Sequence, residues 1–270
     1  VIINAGSSAG TEDYTVHVLR ELGEVIIHGV SIKPGKPVIL AFVNNKPVIG
    51  LPGYPVSAYI GFENFVSPVL SYMGGRVEKK NKKVEAVISR RLVSSLKHKE
   101  YVRVKVGCVG DKIVAAPLAR GAGAAMSLVR ADGFCVIPQN SEGCEAGEKL
   151  EVELYRESEE IKNTAVVIGS HDLILDVMAD MMPNHFPGMY LSSTHVGSMG
   201  GLMALKRGEA HIAPIHMLNE ETGVYNMSYI EKMFHEPVAL IKGVGRVQGI
   251  MVKKGNPLHI SSVEDLKKVR

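Results

Sequence analysis

Asn4-Ala5-Gly6-Ser7-Ser8-Ala9-Gly10-Thr11-Glu12-Asp13-Tyr14 is the stretch on which the fold of this 270-residue chain turns. An apolar run, Val1-Ile2-Ile3, leads into it. Residues 14–22 behind it read as a helix, which Gly23 stops at a C′ position. Strand, small-residue loop and helix together make the unit of an α/β fold. Small residues in such a loop let backbone N–H groups come close to an anion, and the helix N-terminus favours negative charge. Asp13 at the far edge has the chemistry to hold Mg²⁺ against a phosphate. An ordinary tight turn with Asp13 as N-cap accounts for the same residues, so both readings stand at this point.

Outward from this loop, residues 25–27 and 38–43 are β-rich, with Asn44-Asn45 as a hairpin turn before the next apolar run. Between them lies Lys33-Pro34-Gly35-Lys36-Pro37. Prolines restrict the backbone, so two ammonium groups are held for an anion without a large ordering cost. Gly50-Leu51-Pro52-Gly53-Tyr54-Pro55-Val56-Ser57-Ala58 follows, a rigid turn into a helix over 56–72 with Ser57 in its first turn. From about residue 75 the rhythm changes to short strands at 84–92, 101–109, 113–116, 134–137 and 150–154, the spacing of a small all-β barrel or sandwich. Residues 156–163 are charged, lack apolar periodicity and read as a linker. After residue 164 the strand–helix alternation returns: strand 166–168, helix 172–182, strand 189–191, helix 198–207 with Gly208 as its stop. Strands at 212–215, 238–241 and 249–252 follow, and Ser262 to Asp265 has the form of a capping box. The expected fold is therefore α/β plus all-β, the two α/β parts being parallel sheets flanked by helices.

Lys plus Arg number 31 against 28 acids, a formal charge of +3. The one dense basic run, Lys79, Lys80, Lys82 and Lys83, has no aromatics interleaved and reads as a solvated linker or strand edge, so no nucleic-acid partner is expected. No apolar stretch reaches the ~18 residues of a membrane span. Three cysteines without CxxC spacing suggest a reducing, cytoplasmic setting and no zinc site, with Cys144 exposed in a Gly/Glu turn. His195, His211 and His216 lack HExxH or comparable spacing and are read as doing no direct chemistry; the methionines read as core filler. The chain begins at Val1 without an initiator Met and ends within a helical pattern, so it is expected to be the middle of a longer protein.

The NAGSSAGTEDY, KPGKP and GLPGYPVSA segments, in this order and spacing, resemble the molybdopterin-binding domain of MoeA-type molybdopterin molybdotransferases. Glu100-Tyr101-Val102-Arg103, Ser127 to Gly133 and Glu145-Ala146-Gly147-Glu148 resemble that family's C-terminal barrel. The resemblance implies a C-terminal part of a molybdopterin-binding α/β domain over 1–72 and a small β-barrel domain over 73–156. It also implies an activity, insertion of molybdate into adenylylated molybdopterin with release of AMP and assistance from Mg²⁺, by a homodimer in the intact protein. By position, Gly6, Ser7, Ser8, Gly10 and Asp13 would cradle the pterin phosphate or nucleotide and its metal. Lys33 and Lys36 would bind molybdate or offset phosphate charge, with Pro52, Gly53, Pro55 and Ser57 shaping the opposite wall. Ala5 and Ser7 stand where the family often has Gly and Val. The acidic and threonine site residues that the family carries upstream fall before Val1, so this piece alone is not expected to be a competent enzyme.

Residues 164–270 resemble part of the periplasmic-binding-protein-like domain fused to some MoeA proteins, similar also to molybdate-binding proteins and to effector domains of LysR-type regulators. Ser170-His171-Asp172, Gly197-Ser198-Met199-Gly200-Gly201-Leu202, Gly208-Glu209-Ala210-His211 and Glu221 to Asn226 carry that likeness, with Arg246-Val247-Gln248-Gly249. Ser170 and Ser198 each sit where a strand hands over to a helix, and a hydroxyl with helix N-terminal amides binds an oxyanion. Plain N-caps fit the same positions. An alternative function follows: a binding or regulatory module for molybdate, tungstate or a pterin.

Overall fold

The computed structural model describes residues 1–4, 14–77, 81–118, 120–123, 125–156, 158–245, 247 and 249–268. Residues 1–236 pack as one compact unit and 237–270 as a second.

The first part of the larger unit contains β1 (Ile2–Asn4), α1 (Thr15–Leu22), β2 (Glu24–His28), β3 (Ile32–Lys33), β4 (Ile39–Val43) and β5 (Lys46–Leu51). One sheet has the order β1-β5-β4-β2. Only β1 and β5 run parallel; β4 pairs antiparallel with both β5 and β2. The sheet is thus mixed, its parallel pair joined by the short antiparallel piece that the expected hairpin turn at Asn44-Asn45 implies. Asn44 and Asn45, at φ 49° and 58°, form a two-residue turn that can join only antiparallel neighbours. Val16 and Leu19, three apart on α1, pack on Ile39, Ala41 and Val48. Gly23 ends α1 as expected, but in extended backbone at φ −175°. Its role is close approach: a Cβ there would lie 2.1 Å from the Phe42 carbonyl oxygen.

The helix expected over 56–72 is three consecutive pieces: α2 (Pro55–Gly61), a π-helical turn Phe62–Val66, and α3 (Ser67–Met73). Pro68 has no N–H for the carbonyl four residues back, and a wider turn accommodates that loss. Asn64, within the wide turn, donates from Nδ2 to the Ile60 carbonyl and accepts from Tyr101 Oη, each at 2.8 Å.

β6 (Lys82–Ile88), β7 (Leu92–Val93), β8 (Lys99–Val109), β9 (Lys112–Pro117), α4 (Ala125–Arg130), β10 (Gly133–Ile137), β11 (Gly143–Cys144) and β12 (Lys149–Leu154) follow. The order β10-β12-β6-β9-β8 closes through a β10–β8 pairing into a five-stranded barrel, with β3 added to β8 outside the ring. Val102, Val104 and Val106 alternate into its core with Ile88, Ile137 and Val152. The strand expected over 84–92 breaks after Ile88, and Leu92–Val93 pairs instead with β11. That pairing turns Cys144 into the core, so the thiol expected to be exposed is 8 % accessible. Lys83 is exposed and bridges to Glu151 at 2.6 Å.

The described residues of the expected linker are ordered as well. Residues 158–162 form α5 (Ser158–Lys162), and Ile161 is buried in the barrel core. Arg156 bonds Asp132 at 2.7 Å, and its guanidinium lies 4.6 Å from the Tyr190 ring centroid. Then come β13 (Thr164–Gly169), α6 (Leu173–His185), β14 (Tyr190–His195), α7 (Gly197–Lys206) and α8 (Met227–Met233), with β13 and β14 parallel. Gly208 stops α7 in the left-handed region as expected, φ 64°. Residues 212–215 run beside β13 through an Ile212 bridge and a Ser170 N–H bond to the Pro214 carbonyl, but Pro214 has no donor to continue a ladder.

In the second unit the strands expected at 238–241 and 249–252 do not form among the described residues. A β-rich run gains its ladder only beside another strand, and here Ile241 is 84 % and Met251 99 % exposed. The final helix is a 3₁₀ turn, Glu264–Lys268, and the capping-box contact is present: Asp265 Oδ2 accepts from Ser262 N at 3.0 Å.

Candidate functional site

Asn4 ends β1 directly beside Leu51 at the end of β5. The segments that follow therefore leave the sheet from the same carboxyl end, the edge where α/β folds place ligands. Gly6, Ser7, Ser8, Gly10 and Asp13 lie outside the described residues.

The KPGKP and GLPGYPVSA segments are brought together. Val30 N–H bonds the Lys36 carbonyl and Gly29 N–H the Val38 carbonyl, each at 2.8 Å, closing the lysine loop. Gly35 adopts φ +112°, and a Cβ there would stand 3.1 Å from Ile32 Cδ1 and 3.4 Å from the Ser57 carbonyl oxygen. Glycine is thus needed both for the backbone and for seating the loop on α2. Pro52 and Ser57 are buried, whereas Gly53 and Pro55 are exposed. The α2 terminus is a poorer anion site than its sequence implies. Pro55 has no N–H, and Val56 N–H already bonds the Ala122 carbonyl at 3.0 Å.

Lys33 and Lys36 differ. Lys36 is exposed and makes no ion pair among the described residues. Lys33 pairs in register with Glu100 of β8, and its Nζ lies 3.7 Å from Glu100 Oε1. Arg120 Nη1 stands 3.3 Å from the same oxygen. Neither Glu100 nor Arg120 was marked as a site residue by its local pattern. The available signals were a carboxylate in the apolar-rich strand EYVRV and a single cation in the small-residue stretch around Gly121.

Ser170 and Ser198 are also brought together, through a residue whose spacing carries no motif. His216 Nδ1 lies 2.8 Å from Ser170 Oγ and 3.5 Å from Ser198 Oγ, and His216 N–H donates to Ser198 Oγ at 3.1 Å. Neither serine is an N-cap. Asp172 caps α6, accepting from Ile174 N–H at 3.0 Å, and Val196 occupies the α7 cap position without a side-chain bond. The Asp172 carboxylate disfavours an anion at α6, so the α7 start is the more receptive terminus. Gly201 lets α7 sit directly on β13, since a Cβ there would lie 2.7 Å from the Ile168 carbonyl oxygen. His171 and His195 rings meet edge-on at 4.1 Å, and burial, then the neighbouring His171 charge, holds the His195 imidazole below its ordinary value. His211 is structural, its Nδ1 accepting from Val166 N–H at 3.0 Å.

Among the described residues no group of three or more His, Cys, Asp or Glu is placed to hold a metal ion. No described helix is long and apolar enough to cross a membrane.

Three family models match. Residues 1–72 match one described as "Probable molybdopterin binding domain", 85–155 match the MoeA C-terminal region (domain IV), and 179–270 match a PBP superfamily domain. A Methanocaldococcus jannaschii protein provisionally named for molybdopterin biosynthesis is 40 % identical over 156 residues, 58 % of this chain and 36 % of the relative. The molybdopterin molybdenumtransferase of Bacillus subtilis is 28 % identical over 159 residues, 58 % of this chain and 37 % of the relative. A crystal structure of the molybdopterin biosynthesis moea protein from Pyrococcus horikosii shares 39 % identity over 58 % of this chain and 37 % of that one, with a TM-score of 0.48. The chain spans little more than a third of the length of the curated relatives it matches. It carries MoeA-type molybdopterin biosynthesis domains followed by a PBP-like domain.

Proposed function

We propose that the intact protein acts in molybdenum cofactor biosynthesis as a transferase, inserting molybdate into adenylylated molybdopterin with release of AMP. The observation that carries this reading is the lysine loop, clamped by Gly35 onto the start of α2 at the carboxyl end of β1 and β5. Two anions must meet in this reaction, and cations fixed beforehand lower their repulsion without reorganising during it. Lys36 supplies an exposed ammonium, and Lys33 one steadied by Glu100. Gly53 and Pro55 are proposed to line the facing wall, with buried Pro52 and Ser57 shaping it from behind; Gly6, Ser7, Ser8 and Gly10 are proposed to cradle the pterin phosphate. Asp13 is the proposed Mg²⁺ ligand. A cytoplasmic homodimer is part of the proposal. In the intact protein, Lys33→Ala and Lys36→Ala are each expected to cut molybdate-dependent AMP release at least about tenfold. Unchanged release in both overturns the reading.

The convergence of Ser170 and Ser198 on His216 favours a second reading for the PBP-like part, binding of molybdate, tungstate or a pterin. Calorimetric titration of the intact protein with molybdate is expected to lose one binding event in the Ser170→Ala, Ser198→Ala double variant. Binding indifferent to both substitutions would count against it.

A further inference from the structure

Glu100 is a carboxylate that folding has nearly removed from water, its side chain 4 % exposed. Such a group is costly unless compensated. Oε2 accepts from Ser94 Oγ at 2.8 Å. Oε1 faces two cations, Lys33 Nζ at 3.7 Å and Arg120 Nη1 at 3.3 Å. They arrive from different parts of the chain. Lys33 comes from β3, paired in register with Glu100. Arg120 comes from the loop after β9, which is fastened on one side by Arg103 Nη2 to the Gly121 carbonyl at 3.2 Å and on the other by Val56 N–H to the Ala122 carbonyl at 3.0 Å.

Neutralising one carboxylate requires one cation, and here two share a single oxygen. The surplus is one positive charge, on groups that stay 53 % and 36 % exposed and lie beside the loop that also carries Lys36. A preorganised pair of cations holding a net charge toward solvent is the arrangement that recognises a tetrahedral oxyanion.

We infer that Arg120 is a further anion-binding residue of this site, and that Glu100 is its positioning residue, holding Arg120 and Lys33 side by side for one tetrahedral oxyanion. The inference rests on the proposed transferase reading, in which Lys33 meets an anion. Free molybdate and the phosphate of a nucleotide share the required chemistry, so the intact protein is titrated calorimetrically with molybdate and, separately, with AMP. Arg120→Ala is expected to lower the unfolding midpoint and, titrated below that midpoint, to weaken one of these probes about tenfold, with Arg120→Lys recovering part of the loss. The probe that weakens identifies the source of the oxyanion. Glu100→Gln is expected to raise KM for the corresponding substrate more than it lowers kcat, with Glu100→Asp closer to wild type. Should Glu100→Gln fail to fold, the exposed Arg120 variants still decide. If Arg120→Ala leaves intact the binding of every probe that the wild type binds, this inference alone is overturned. No binding of either probe by the wild type overturns the transferase reading and this inference with it.

Discussion

Cys135 is fully buried in the barrel, and burial, then its neighbour Cys144, pushes its thiol up to about 12. Burial likewise pushes up the Tyr155 phenol, whose Oη donates to the Leu128 carbonyl at 3.0 Å. Both groups stay protonated in the fold, while in the unfolded chain the thiol ionises near pH 9.0. The linked stability is therefore complete below pH 9 and is lost as pH rises towards about 12, at up to about 1.4 kcal/mol per pH unit for the thiol. Urea midpoints are expected to be flat from pH 7 to 8.5 and to fall above pH 9, with a shallower fall in Cys135→Ala. The β-pattern around Cys135 could be read from sequence. The burial of Cys144 could not, because its Gly- and Glu-rich turn is polar and its partner strand is fifty residues away.

Among the elements, the β4–β5 hairpin shows how local chemistry fixes local geometry. With Asn44 and Asn45 both at positive φ, Asn45→Gly is expected to raise stability by about 0.5 kcal/mol, and Asn45→Val to lower it by about 1–2 kcal/mol. Urea unfolding of the two variants measures the difference directly. Such turns, the Gly208 stop and the strand alternation of the barrel were legible because their causes lie within a few residues. The wide turn at 62–66, the pairing of β3 with β8 and the placement of Arg120 beside Glu100 were not, because each depends on a partner that only tertiary structure supplies. The candidate site divides the same way. The lysine loop and the two serines stand out as motifs, while Glu100, Arg120 and His216 acquire meaning only by proximity.

At the scale of the larger unit, Asp132 joins several parts of the chain. It is 1 % exposed, accepts from Val106 N–H at 2.7 Å, and faces Lys105 at 3.3 Å and Arg156 at 2.7 Å. Arg156→Ala would leave the buried carboxylate with Lys105 as its one cation and remove the contact with Tyr190, a loss of about 3 kcal/mol. Thermal unfolding is expected to show that loss, and Arg156→Lys is expected to recover less than half of it, because a single ammonium cannot reach Asp132 and Glu160 from separate nitrogens while standing over the Tyr190 ring.

The helix at Ser158–Lys162 has a geometric consequence as well. Eight residues of free coil would let their ends wander over about 15 Å, giving whatever follows a wide choice of headings. With Ile161 inserted in the barrel and Arg156 lying on Tyr190, that freedom is gone. The strand pair β13–β14 leaves the barrel along a single heading, and dyes placed on β6 and α7 would report one narrow distance rather than a spread.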